Sequence, residues 1–312
     1  MIVAHFASSL KHLPTIGKAA KYNALYYRLT KKSKELGHQY IVLDGSKDYV
    51  GGNVFAAYYV VVDRLGTLKK ITEEIEVGVI FNKGKLDLKE VTVPVVNSYE
   101  LCLIAGDKKR QADMFKDFMP SSYTAATVDA AKKYIDSGAH DKYVLKPTLL
   151  NAGKGIQIVS SSQQLEEDKH FMPPFVIQEF IDASAGVPGI VAGVHDVRIY
   201  ILNGKSEFMS VRRPVKGSLI ANTHKGGSID FFTADTIPPE LKQLSRDIDR
   251  RLGMDEDRYY SCDYMRDSSG AWYLIELNDR PAIPSVVDDD PLTEGMQDRV
   301  LQILIEAGNE CR

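Results

Sequence analysis

The sequence predicts an α/β domain at the N-terminus followed by α+β lobes. Three observations carry this. Over roughly the first 95 residues, short apolar runs alternate with helical periodicity, as in a largely parallel sheet. From Val197 onward the β-type segments are longer and only two helices are interleaved, which suits antiparallel strands with helices packed on them. Hydrophobic residues make up 44% and charged residues 26% of 312 residues, ordinary globular usage and enough chain for two or three packed domains.

In the first region Ile2 to Phe6 is an apolar run, followed by a loop with Ser8, Ser9, His12 and Pro14. Ala20, Leu25, Leu29 and Leu36 mark one helix face, and Gly37 sits where a C-terminal glycine is favoured. Tyr40 to Leu43 reads as a strand closed by Asp44-Gly45, and Phe55 to Val62 and Val77 to Phe81 as two more. After a break at Lys83 to Val95, Leu101, Ala105, Met114, Phe115 and Phe118 recur at helical spacing until Met119-Pro120. Thr127 caps a short helix through Ile135, with Gly138 beyond it. Tyr143 to Lys146 and Gly155 to Val159 are strands, Ser161 and Gln164 form a capping box, and Phe175 to Ile181 is again strand-like. Val197 to Leu202, Phe208 to Arg212, Tyr259 to Met265 and Trp272 to Leu277 complete the strands. One late helix carries Leu241, Leu244, Ile248 and Leu252 and ends at Gly253; the last carries Met296, Val300, Leu301, Leu304 and Ile305.

A net charge of -3 gives no footprint for nucleic acid. Cys102, Cys262 and Cys311 are too far apart for a zinc site or a disulfide framework, so reduced thiols of a cytoplasmic protein are expected. The N-terminus lacks a signal-peptide pattern, and no apolar run approaches the roughly 20 residues that span a bilayer. A homodimer is the default expectation if the chain associates.

The common nucleotide and catalytic signatures are absent: no P-loop, G-x-G-x-x-G, H-E-x-x-H or G-x-S-x-G pattern occurs. Present instead are separated pieces in a fixed order. They are Asp107-Lys108; Val144-Leu145-Lys146-Pro147 with a glycine loop to Gly155; Val176 to Asp182; Asp196-Val197-Arg198; Arg212-Arg213-Pro214 with Asn222 to Ser228; Asp263; and Glu276 to Pro281. From about Asn97 to Pro284 this series resembles the ATP-grasp superfamily, especially the glutathione-synthetase-like and ribosomal-protein-S6-modification-like carboxylate–amine ligases. The resemblance implies an N-terminal Rossmann-like pre-ATP-grasp domain over 1–95, a small lobe with a glycine-rich loop over 96–181, and a large lobe with a metal site over 182–312.

Each piece has its own physics. Lys108 and Lys146 are cations that the resemblance sets against ATP phosphates through charge-assisted hydrogen bonds. By the resemblance Gly153, Lys154 and Gly155 belong to the glycine-rich loop over the triphosphate, where glycine lets backbone N–H groups approach an anion. Gln178, Glu179, Phe180 and Ile181 resemble the segment whose main chain, at Glu179 and Ile181, reads adenine. Asp182 and Ser184 are the candidates for the ribose hydroxyls by the resemblance; the glycine-rich stretch from Ser184 to His195 is longer than in relatives and leaves the choice open. Glu276 and Asn278, two apart on a strand, share a face, and Asp263 joins them from a neighbouring strand. Such hard oxygen donors suit Mg²⁺, with Mn²⁺ as the alternative. Arg198, with Arg212 or Arg213, would neutralise charge on a transferring phosphoryl group. Asn222 resembles the asparagine near the reacting centre; the arginine that relatives often carry upstream is missing from Ser218 to Ala221, and His224 matches a position often held by histidine.

The resemblance implies an ATP-dependent ligase that activates a small-molecule or peptide carboxylate as an acyl phosphate and joins it to an amine, yielding ADP and phosphate. Ser8 to His12 is expected to help select the carboxylate. The alternatives are a small-molecule kinase on the same fold and a nucleotide-binding regulatory module without turnover.

Overall fold

The computed structural model describes residues 1–7, 20–87, 89–150, 153–219, 226–284 and 290–310. The chain divides into two compact units. One comprises Met1–Cys102, Met254–Tyr260 and Asp279–Arg312; the other comprises Leu103–Gly253 and Ser261–Asn278.

The first unit holds β1 (Ile2–Ala7), α1 (Ala20–Glu35), β2 (Gln39–Asp44), β3 (Tyr49–Gly51), β4 (Val54–Phe55), β5 (Tyr58–Val61), β6 (Leu68–Ile71), β7 (Ile75–Glu76), β8 (Val79–Asn82) and β9 (Val95–Val96). Its main sheet has the order β6-β5-β2-β1-β8-β9. The four strands from β2 to β9 run parallel, and β5 and β6 add an antiparallel edge. β3, β4 and β7 make a separate small sheet. Phe6, Ile41, Leu43, Phe55, Tyr58 and Ile80 belong to one buried cluster. The alternating pattern thus gives the expected parallel core. Two details differ. The run Phe55 to Val62 is split between two sheets, because an apolar stretch does not by itself mark where the chain turns. Leu36 lies beyond the end of α1 and is 50% exposed, while Gly37 takes the left-handed conformation expected of it.

The predicted single helix after residue 96 is two: α2 (Tyr99–Gly106) and α3 (Lys108–Met114). Asp107 has extended backbone between them and accepts the Lys109 N–H at 2.8 Å, capping α3. A carboxylate suits that place because it meets the unpaired N–H groups of a helix start. Then follow β10 (Ser122–Ala125), α4 (Val128–Ile135), β11 (Tyr143–Pro147), β12 (Gln157–Val159) and β13 (Phe175–Glu179). The four strands form an antiparallel sheet in the order β10-β13-β11-β12. Thr127 caps α4 as predicted, accepting from Ala130 N–H at 3.2 Å. The expected capping box at Ser161 is not formed: Ser161 makes no side-chain cap, and Gln164 accepts instead from Ser160 N–H.

The rest comprises β14 (Asp196–Leu202), β15 (Lys205–Arg213), β16 (Ser228–Thr233), α5 (Pro239–Leu252), β17 (Tyr259–Arg266), β18 (Trp272–Asn278) and α6 (Pro291–Glu310). The strands form a five-stranded sheet, β16-β15-β14-β17-β18. α5 ends at a left-handed Gly253, as read from the sequence. α6 returns to the first unit and packs on α1, β1 and β8 through Met296, Val300, Ile303 and Leu304, so the segment 182–312 is shared between the two units. Cys102 and Cys262 are buried free thiols whose pKa burial pushes well above the ordinary value; Cys311 lies outside the described residues.

Candidate active site

The second unit gathers most of the predicted residues. In its four-stranded sheet, Ser122, Gln178 and Val144 are cross-strand partners, as are Thr124, Val176 and Lys146. The alternate residues Tyr143, Leu145, Phe175 and Ile177 pack with Ala131 and Ile135 of α4 into a core. Lys146 and Gln178 therefore fall on the face away from that core. The Lys146 ammonium donates to Gln178 Oε1 at 2.5 Å and lies 3.5 Å from the Ile275 carbonyl. Gln178 Nε2 in turn donates to Ser122 Oγ at 3.0 Å, and Ser122 donates to the Pro120 carbonyl at 2.6 Å. This relay fixes which way the amide points. Lys146 is only 7% exposed, and burial pulls its pKa down to about 8, Glu276 opposing the shift and Lys108 adding to it.

Lys108, at the first turn of α3, donates to the Leu150 carbonyl at 2.6 Å and sits 3.3 Å from Glu276 Oε1. Gln111, one turn on, clasps the free edge of β18. It donates to the Leu277 carbonyl at 3.1 Å and accepts the Leu277 N–H at 2.7 Å. One helix thus places a candidate phosphate lysine and holds the strand that carries Glu276 and Asn278.

Gly153 and Gly155 both adopt left-handed backbone, with φ of 71° and 69°. A Cβ on Gly155 would stand 2.6 Å from the His170 carbonyl oxygen and 2.8 Å from a Pro147 ring carbon, so only glycine fits. Lys154 between them is exposed; Asn151 and Ala152 are outside the described residues. At the end of β13, Glu179 N–H is bonded to Ser121 O and Phe180 N–H to Lys142 O. Of the Glu179 main-chain groups, the carbonyl is therefore the one suited to a base edge. The Phe180 ring lies 4.8 Å under the Lys142 ammonium, and Ile181 is buried. Asp182 and Ser184 share one turn: Asp182 Oδ1 accepts Ser184 N–H at 2.9 Å, and hydrogen bonds from Ser184 hold the Asp182 pKa below its usual value.

In the five-stranded sheet Asp196 faces Arg212 across β14 and β15, and Arg198, two residues on, shares their face. Arg198 grips Asp263 with two hydrogen bonds of 2.6 and 2.8 Å. Arg212 grips Asp196 at 2.6 and 2.7 Å and reaches Asp263 Oδ2 at 2.7 Å. Arg213 turns to the other face and pairs with Asp230, which leaves Arg212 as the arginine of this cluster. Burial pushes both carboxyls up. For Asp263, two arginines outweigh it and hold the pKa well below the usual range; for Asp196, burial wins, taking it to about 6 against the pull of Arg212. The same two carboxylates keep both guanidinium groups above their ordinary value despite burial.

Asp263 and Glu276 are directly opposed on β17 and β18, and Ser261 opposes Asn278. Asp263, Glu276 and Asn278 therefore share one face, with Asn278 Nδ2 3.5 Å from Asp263 Oδ2. Carboxylate, carboxylate and amide oxygen form a hard donor set that fits Mg²⁺. Among the described residues no group of three or more His, Cys, Asp or Glu is placed to hold a metal ion. Asn222, His224 and the stretch Ser8 to His12 lie outside the described residues. Sequence reasoning gave no role to Asp196, Gln111 or Ser122. Only Asp196 had a visible signal, since it stands two residues before Arg198 on the same strand face.

Comparison with known proteins defines the fold. The chain superposes along nearly its whole length on D-cycloserine synthetase DcsG (TM-score 0.65, 12% identity, 97% of this chain and 100% of that one). It does so too on D-alanyl-alanine synthetase A from Vibrio cholerae (0.64, 12%, 99% and 98%). A third is the ATP-grasp ligase PsnB, solved with a phosphomimetic variant of its minimal precursor, Mg and ADP (0.59, 14%, 98% and 98%). The chain has the ATP-grasp fold. In sequence it is similar to a probable alpha-L-glutamate ligase of Shewanella pealeana, 22% identical over 285 residues, covering 87% of this chain and 59% of that protein. Its similarity to a probable alpha-L-glutamate ligase of Parasynechococcus marenigrum is 24% over 280 residues, covering 83% and 55%. The chain therefore spans somewhat over half the length of these curated relatives. No family model matches it. Among the described residues no helix is long and apolar enough to cross a membrane.

Proposed function

We propose that the chain is an ATP-dependent carboxylate–amine ligase working through an acyl phosphate. The observation that carries this is the meeting, within one unit, of four cations (Lys108, Lys146, Arg198, Arg212) with three oxygen donors on one strand pair (Asp263, Glu276, Asn278). In this reading Lys108 and Lys146 hold the ATP phosphates, with Gly153 to Gly155 over them. Glu179 to Ile181 border the adenine, and Asp182 or Ser184 the ribose. Asp263, Glu276 and Asn278 would hold Mg²⁺, or Mn²⁺ by the same oxygen chemistry; bound there, the metal offsets phosphate charge. The substrate carboxylate attacks the γ-phosphorus, ADP leaves, and the amine displaces phosphate from the acyl phosphate. Positioning and charge stabilisation do most of this chemistry. Arg198 and Arg212 face the charge that grows on the transferring group and on the tetrahedral adduct. Asn222 is assigned to the same centre. By this reading 1–95 is the pre-ATP-grasp domain, which helps select the carboxylate, 96–181 the small lobe and 182–312 the large lobe. The names of the curated relatives support glutamate as one reactant, and the leader and core peptide bound to the RiPP-associated ATP-grasp ligase of Chryseobacterium gregarium (TM-score 0.58, 11% identity) supports a peptide as another.

The test is ADP release in the presence of Mg²⁺ across amino acids, glutamate-containing peptides and other carboxylates, with products weighed by mass spectrometry. An amide product with free phosphate, and a hydroxamate when hydroxylamine replaces the amine, is expected. A product heavier by one phosphoryl group with no hydroxamate would leave a kinase.

A further inference from the structure

The candidate phosphate cations are not free. Lys108 faces Glu276 at 3.3 Å, Arg198 clamps both oxygens of Asp263, and Arg212 takes Asp263 Oδ2 at 2.7 Å. Each of these three cations is thus paired with a candidate metal carboxylate. Lys146 alone of the four rests on a neutral partner, the Gln178 amide. We propose that Asp263 and Glu276 are specificity-determining residues that exclude metal-free nucleotide, because they occupy the phosphate cations until a divalent cation draws them away. The proposal rests on the reading of this site as a metal–nucleotide site.

Charge counting supports it. Four cations (Lys108, Lys146, Arg198, Arg212) and three carboxylates (Asp196, Asp263, Glu276) give the cluster a net charge of 4 − 3 = +1. A nucleoside diphosphate carries about three negative charges, so alone it would leave the site near −2. A divalent cation alone would leave it near +3. Both together leave it near zero. The exchange also conserves partners: Asp263 and Glu276 pass from guanidinium and ammonium to metal, Lys108 and Arg198 pass to phosphate, and Arg212 keeps Asp196, so no buried charge is left alone. Either ligand by itself breaks an ion pair and strands one half of it, which is costly where Asp263 is only 5% exposed.

The test is ADP binding by titration calorimetry, in EDTA and in Mg²⁺, for wild type and Glu276→Gln. Glu276 is partly exposed, so this variant is expected to fold, and its Tm checks that. Expected are a wild type that binds ADP at least ~tenfold more weakly in EDTA, and a Glu276→Gln variant that in EDTA binds ADP ~three- to tenfold more tightly than wild type does. Adenosine, lacking phosphate, should bind both proteins equally. Asp263→Asn is the second variant and should change in the same direction. Metal-free ADP binding by Glu276→Gln that equals or falls below that of wild type would overturn this proposal while leaving the site assignment intact. Wild type that binds no ADP even with Mg²⁺ would overturn the site assignment and this proposal with it.

Discussion

Replacing Gln111 by leucine tests whether the strand bearing Glu276 and Asn278 is held from its open edge. Gln111 is 1% exposed and Leu277 is fully buried. β18 ends its sheet, so its outward N–H and C=O groups find no neighbouring strand. Gln111 supplies what a strand would: an acceptor for Leu277 N–H at 2.7 Å and a donor to Leu277 O at 3.1 Å, with a further donation to Ala105 O at 2.9 Å. Phe118 O meets Leu274 N–H on the same strand at 2.8 Å. Leucine matches the shape and keeps none of the bonds. Stranding three buried peptide groups at roughly 1–3 kcal/mol each, less the gain of about 2 kcal/mol from one added apolar side chain, gives a loss of about 1–7 kcal/mol. Trp272, the single tryptophan, lies on β18, so urea unfolding followed by its fluorescence reads this strand directly. Gln111→Glu keeps the acceptor for Leu277 N–H but sets a buried carboxylate against the Leu277 and Ala105 carbonyl oxygens, so it should lose at least as much. A Gln111→Leu protein within about 0.5 kcal/mol of wild type at unchanged m-value would refute the reasoning.

Further outcomes follow from the same geometry. With the Lys146 pKa drawn down to about 8, the nucleotide-free protein loses this positive charge above that pH. Phosphate favours the charged form, so ADP affinity should fall as pH rises past 8, with proton uptake on binding near pH 8; calorimetry in buffers of different ionisation heat reads both, and affinity flat to pH 10 would contradict it. Because the unfolded lysine keeps its proton to about 10.5, the penalty for burying the charge is felt below pH 8 and relieved between 8 and 10.5, where this residue makes stability rise with pH. Gln178→Leu should weaken ADP binding ~tenfold while sparing adenosine, since the amide aims Lys146 and not the base; equal losses for both ligands would assign Gln178 to adenine. Gly155→Ala should destabilise the fold by about 1–3 kcal/mol in urea unfolding, given its left-handed backbone and the nearby His170 carbonyl; an unchanged midpoint would mean the loop shifts freely.

Much of this site was written in local pattern. Glu276 and Asn278 two apart on an apolar strand already imply a shared face, and Lys146 before a proline and a glycine loop stands out without any coordinates. Thr127 and Gly253 announced their helix ends through cap chemistry alone. What stayed hidden is long-range. Nothing near Gln111 in sequence indicates that its amide completes a strand 166 residues away. The choice between Arg212 and Arg213 needed the register of β15, because either residue can face the centre until the pairing with Asp196 is known. Asp107 looked helical since its neighbours are, yet its side chain bonds to the backbone two residues on and breaks the helix there. The same tertiary dependence hides α6, whose apolar stripe shows that it packs but not on which sheet.

The central claim is that a carboxylate is activated by phosphoryl transfer from ATP. Once the screen supplies a carboxylate substrate, it can be labelled with oxygen-18 in its carboxyl group and turned over with ATP, Mg²⁺ and the amine. Attack of the carboxylate on the γ-phosphorus, followed by amine displacement, leaves one carboxylate oxygen on the released phosphate. Mass spectrometry of that phosphate should therefore show one labelled oxygen per turnover and an amide that has lost one label. Unlabelled phosphate alongside amide formation would contradict the acyl-phosphate account.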